Sequence, residues 1–225
     1  MSYYSENREK VCLRVNTRTR ELAVDVFTAY GGACECCGET RSEYLSIVRG
    51  GCRGETKLVG QYRRGHSLYA WLAAHNYPKD NYHLRCLNCN MSIKLYGYCP
   101  HNFLSSPLFD DQSTLSIKKR YIVRRKQRII VEYGGRCSVC GETRGEFLTI
   151  DHINGGGFQH RKEMYAKGTE IYSVLKSSGF PKDKYRLLCF NCNGRRVYRS
   201  DRQFAPKWFQ DKVKGSLETV PNPPF

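Results

Sequence analysis

The chain has 225 residues, 37 Lys and Arg against 21 Asp and Glu, a net charge of +16, and 12 cysteines. That length suits two modest domains, and so large a positive charge opposes self-association and attracts polyanions, which makes nucleic acid the expected partner. No apolar run reaches the length of a signal peptide or a membrane span, so the expectation is an intracellular, cytoplasmic protein that is not secreted and does not engage a membrane.

In chain order, the first expected element is a helix over residues 18–30, where Leu22, Val26 and Tyr30 recur four apart. It stops at Gly31-Gly32, a pair that breaks a helix and permits a tight turn. Cys34 and Cys37 follow, then a short strand over 44–47 and a helix over 67–75 that sets Leu68, Tyr69 and Leu72 on one face. A Pro78-Lys79-Asp80 turn leads to Cys86 and Cys89.

The chain then repeats itself. Residues 30–90 align with 133–193 at a constant offset of 103, without a gap, and 26 of the 61 positions are identical. The second round reads as a helix over 119–133, Gly134-Gly135, Cys137 and Cys140, a strand over 147–150, a helix over 170–178, an extended piece over 185–188, and Cys189 and Cys192. Its strand is expected to deliver Asp151 and His152 into the glycine-rich loop 154–157, whereas the first copy carries Val48 and Arg49 at those positions. Four residue blocks follow: a first module over 1–103, a linker over 104–117 where Ser, Pro and Asp collect, a second module over 118–203, and a basic to proline-rich tail over 204–225.

Small modules with thin aliphatic cores need a staple. In a chain without a secretory route, CxxC pairs read as metal clamps in preference to disulfides. One zinc site is therefore expected from Cys34, Cys37, Cys86 and Cys89, and a second from Cys137, Cys140, Cys189 and Cys192. Such four-cysteine sites are closed and structural. Cys12, Cys36, Cys52 and Cys99 have no counterpart in the other copy and are expected to do nothing that both copies share.

The ordered run Tyr-Gly-Gly-x-Cys-x-x-Cys-Gly-Glu, Phe-Leu-x-Ile-Asp-His-Ile-x-Gly-Gly-Gly, His-Arg and Leu-Cys-x-Asn-Cys-Asn, from Tyr133 to Asn193, resembles the HNH endonucleases common in phages, ββα-metal nucleases with a four-cysteine zinc site similar in plan to phage endonuclease VII. The resemblance implies an α+β fold of two small zinc-stapled ββα-metal modules in tandem, each preceded by a helix, in a bacterial or phage-infected cell. It implies His152 as general base, Asp151 and Asn193 as ligands of a divalent cation such as Mg2+, Asn191 in a supporting role, and His160 and Arg161 on phosphate. The first copy matches the scaffold, including Gly97-Tyr98-Cys99-Pro100-His101, which resembles the family's usual ending; the second copy lacks that ending.

The first copy, lacking the acid and the imidazole, is expected to grip substrate without cutting, with Arg49 in the critical place. Lys118, Lys119, Arg120, Arg124, Arg125, Lys126 and Arg128 open the second module, and Arg195 and Arg196 follow its last cysteine; all are candidates for nucleic-acid contact. The leading expectation is a metal-dependent endonuclease that cleaves or nicks DNA, with RNA as the other possible substrate. The rival is a zinc-stabilised DNA- or RNA-binding protein without activity, a former nuclease such as a ribonucleoprotein component; a third reading, a protein-binding zinc module, has only the 16 tyrosines behind it. Side-chain directions separate the first two. Convergence of Asp151, His152 and Asn193 on one gap favours cleavage, and an arginine on Asp151, or His152 packed against protein, favours binding alone. Oligomeric state is open at this level.

Overall fold

A computed structural model of the chain describes residues 7–50, 66–103, 116–166 and 170–197. Cys52, the cations Arg53, Lys57, Arg63 and Arg64 that follow Arg49 and are expected with it to grip phosphate, most of the expected linker, and the tail lie outside the described residues, as do the side chains of Cys12, Arg195 and Arg196. The architecture is mixed α+β. The elements are α1 (Arg8–Ala29), β1 (Leu45–Arg49), α2 (His66–Ala74), β2 (Tyr82–Cys86), α3 (Leu87–Tyr96), α4 (Ile117–Glu132), β3 (Leu148–His152), α5 (Gly157–Ala166), α6 (Ile171–Ser177), β4 (Tyr185–Cys189) and α7 (Phe190–Val197). β1 pairs antiparallel with β2, and β3 with β4, as two separate two-stranded sheets. In each half the second strand of the pair runs straight into a helix, α3 or α7.

The shared residues explain themselves in shared contacts. Gly31 and Gly134 adopt φ of 94° and 90°, which ends α1 and α4 with a reversal that other residues resist. The tyrosine before each pair reaches 48 residues on: Tyr30 Oη donates to the Pro78 carbonyl at 2.6 Å and Tyr133 Oη to the Pro181 carbonyl at 3.4 Å. Within each knuckle the Cys34 amide donates to the Glu39 carbonyl and the Cys137 amide to that of Glu142, both at 2.8 Å. The carboxylates of Glu39 and Glu142 in turn accept from the Arg41 and Arg144 amides. The Gly-Glu-Thr-Arg string is therefore the turn that seats the first cysteine pair.

Several element bounds differ from the sequence reading. α1 extends ten residues further toward the N-terminus than expected, since nothing in residues 8–17 breaks a helix. α4 opens at Ile117 inside the expected linker, with the Ser116 side chain accepting from the Lys119 amide at 3.4 Å. Strand β3 continues through Asp151 and His152, which stand opposite Arg186 and Tyr185 in the sheet and do not enter the loop. Helix α5, after the glycine run, was not expected at all.

The two halves pack on one another through one continuous core that includes Val26, Tyr44, Leu72, Leu84, Phe147, Leu175 and Leu187. α3 lies against the turn Gly145–Phe147 of the second half, α7 against the turn Ser42–Tyr44 of the first, and α3 against α7. Asn88 and Asn191, 103 residues apart, sit at the centre. The Asn88 amide donates to Asn191 Oδ1 at 2.8 Å, and the Asn191 amide to Asn88 Oδ1 at 2.9 Å. Both are second residues of their helices, whose first amides have no partner inside the helix. Each asparagine thus caps the other half's helix, an isologous contact of the kind a two-fold dimer makes.

Candidate metal centres and the Asp151–His152 cleft

The two expected tetrads come together. Cys34, Cys37, Cys86 and Cys89 place all four sulfurs within 4.8 Å of one another, and so do Cys137, Cys140, Cys189 and Cys192. Sulfur pairs measure 3.8 Å for Cys37–Cys86, 3.4 Å for Cys86–Cys89 and 3.7 Å for Cys140–Cys189. A tetrahedral ion with metal–sulfur bonds of about 2.3 Å needs sulfurs about 3.8 Å apart, so the geometry fits zinc. Neighbouring thiols donate to Cys34 and to Cys137 and hold both far below the ordinary thiol range. Cys89 and Cys192 are pushed up for the converse reason. Four thiolates this close require a cation between them.

The second half adds a cleft of about 1230 Å³ lined by Asp151, His152, Gly157, Arg161 and Asn193, together with Tyr96 and Lys126 from the joint between the halves. Strand β3 supplies the acid and the imidazole, and α7 supplies Asn193. Asn191 points elsewhere, since its side-chain oxygen is spent on Asn88. Asp151 is buried, and its Oδ2 accepts from Arg186 Nε at 3.0 Å. His152 Nε2 and His160 Nδ1 lie 2.8 Å apart, and the His152 ring meets the Tyr185 ring edge-on at 4.8 Å. The other ring nitrogen, Nδ1, faces Gly157, where a Cβ would come within 2.9 Å of it. Asp151 and Asn193 offer the hard oxygen donors a divalent cation takes, but the Arg186 guanidinium competes for the same carboxylate. His160, expected on phosphate, is bonded to His152. In the first half Val48 stands opposite His83, and His83 turns to Glu35 at 2.8 Å.

The basic run on α4 divides by environment. Lys118, Lys119 and Arg124 are exposed. Arg125 is bound to Glu170 at 2.9 Å and lies over the Tyr172 ring. Arg128 faces Glu132 and Phe180. Lys126 donates to Tyr96 Oη at 2.6 Å, and burial pulls its ammonium down to about 8 against the opposing field of Glu146. This division is not legible in the run of cations itself, because it depends on the joint. Arg49 ends β1 and is exposed.

No family model matches this chain, and neither a curated protein nor a solved structure matches it. Among the described residues no helix is long and apolar enough to cross a membrane.

Proposed function

We propose that the chain is a metal-dependent HNH-type endonuclease with one working and one degenerate module, each stapled by a zinc ion, acting on nucleic acid and preferentially on DNA. The observation that carries this reading is that Asp151, His152 and Asn193 line one open cleft, while the matching positions of the first half hold Val48 and Arg49.

In this reading His152 takes a proton from the attacking water. When Nε2–H donates to His160, Nδ1 is the basic nitrogen, and Gly157 keeps side-chain atoms off it. His160 then orients the ring, and Arg161, exposed at the cleft, holds the phosphate. A hard divalent cation held by Asp151 and Asn193 would neutralise charge on the scissile phosphate and the leaving 3′ oxygen. Arg186 must give up Asp151 for that. Catalytic geometry often tightens only with substrate bound, so the pairing does not disqualify the site. The exposed cations of α4 and Arg49 in the first half would supply phosphate contacts.

The Asp151–Arg186 pair, and the packing of the His152 ring against His160 and Tyr185, favour a second reading, binding without cleavage, in which the cleft is a relic and the two halves form one basic zinc-stapled platform. Supercoiled plasmid incubated with the purified protein and Mg2+, beside His152→Ala, decides between them. The endonuclease reading expects nicked circles from the wild type and none from the variant. Equal binding of plasmid by both proteins, with no nicking by either, establishes the second reading.

A further inference from the structure

We propose that the first half holds a second metal ion, bound by Cys36, Cys89, Cys99 and His101, so that it carries a binuclear zinc cluster in which Cys89 bridges the two ions.

Two of these cysteines have no partner in the repeat, yet the fold brings them to the knuckle. The ligand atoms of Cys36, Cys89, Cys99 and His101 all lie within 4.8 Å of one another. His101 Nδ1 is 3.2 Å from Cys89 Sγ and 3.3 Å from Cys99 Sγ. Zinc bonds of about 2.3 Å to sulfur and 2.0–2.1 Å to nitrogen place such atoms roughly 3.6 Å apart, so both His101 contacts lie within a few tenths of an ångström of the coordinated spacing. Cys89 and Cys99 are 0% and 2% exposed, which keeps competing water from both sulfurs. The donors also count correctly. The two groups share only Cys89, so seven residues supply the eight bonds that two tetrahedral ions need. Six thiolates leave two dications with a modest excess of negative charge, in a chain otherwise rich in cations.

The second half cannot copy the arrangement. Its matching positions are Val139, Arg202 and Phe204. The asymmetry therefore runs both ways: the second copy keeps Asp151 and His152, and the first keeps these extra ligands. The position of the site gives it a use. Residues 97–103 leave α3 and lie across the second half, where Tyr98 Oη donates to Glu146 at 2.8 Å and the His101 ring rests 4.9 Å from Phe147. Both contacts fall on the turn that leads directly into β3. A metal on Cys99 and His101 pins this strap to the first knuckle and so holds the halves in register.

Metal content of the full-length protein tests this. Native mass spectrometry and elemental analysis should find three zinc ions per chain, and Cys99→Ser should hold two. His101→Cys, which keeps a ligand in place, should retain three. Replacement with 113Cd gives a readout that does not depend on any variant folding: the bridge predicts three resonances, two of them split by coupling through the shared sulfur. Two ions per wild-type chain, or two uncoupled 113Cd resonances, overturn the proposal.

Discussion

Removing either asparagine at the joint should cost the same, although the two lie in different halves. Asn191→Ala deletes the oxygen that accepts from the Asn88 amide, and Asn88→Ala does the reverse. Asn88 and Asn191 are 5% and 7% exposed, so the stranded amide has little access to water. A buried donor left without a partner costs about 1–3 kcal/mol. For a chain of this length each kilocalorie lowers Tm by roughly 2–4 °C, which puts each variant about 2–12 °C below the wild type. Because the two bonds join the same pair of helix ends, losing one loosens the other, and the double variant should fall short of the sum of the singles. Thermal melts followed by circular dichroism, in excess zinc so that metal linkage is constant, measure all three. Single variants within about 1 °C of wild type, or one variant costly and the other silent, refute the reciprocal capping.

Lys126 gives a pH signature. Its ammonium is held at about 8 against an ordinary 10.5, so between those values the unfolded chain still binds a proton that the folded chain has lost. Stability relative to Lys126→Met should therefore rise from pH 8 to 10.5 and stay level below 8, where the burial cost is fully present; a flat difference in denaturation midpoints contradicts the assignment. Gly157→Ala should crowd His152 Nδ1 and cut plasmid nicking at least tenfold while Tm and plasmid affinity hold, and unchanged nicking would remove His152 Nδ1 from the mechanism. Arg186→Met frees the Asp151 carboxylate from a partly exposed pair and should tighten Mn2+ binding by roughly tenfold in calorimetry. Unchanged or weaker Mn2+ binding would mean that Asp151 is not a cation ligand.

The repeat made half of this legible. Residues kept in both copies are those with a structural duty: the glycine pair ends a helix, the tyrosine reaches the proline turn, and the paired cysteines meet as tetrads. What escaped depends on pairings that a linear reading lacks. Arg186 is opposite Asp151 only once the register of β3 and β4 is set. Asn191 was expected to support the cleft, and its reciprocal bond with Asn88 exists only because the halves dock. Cys36 and Cys99 looked idle because the copies were compared with each other, and a site confined to one copy is invisible to that comparison. Helix α5 was hidden by the glycines that precede it, which read as loop although the residues after them favour a helix.

Anomalous scattering from Mn2+ in crystals of His152→Ala bound to a DNA duplex locates the catalytic cation, because that variant leaves the duplex intact. A metal-dependent nuclease should show a single Mn2+ peak about 2.1–2.2 Å from the Asp151 carboxylate and beside the Asn193 side chain, with Arg186 turned to phosphate and no peak near Val48. DNA in place, Arg186 still on Asp151 and no manganese between Asp151 and Asn193 would contradict it.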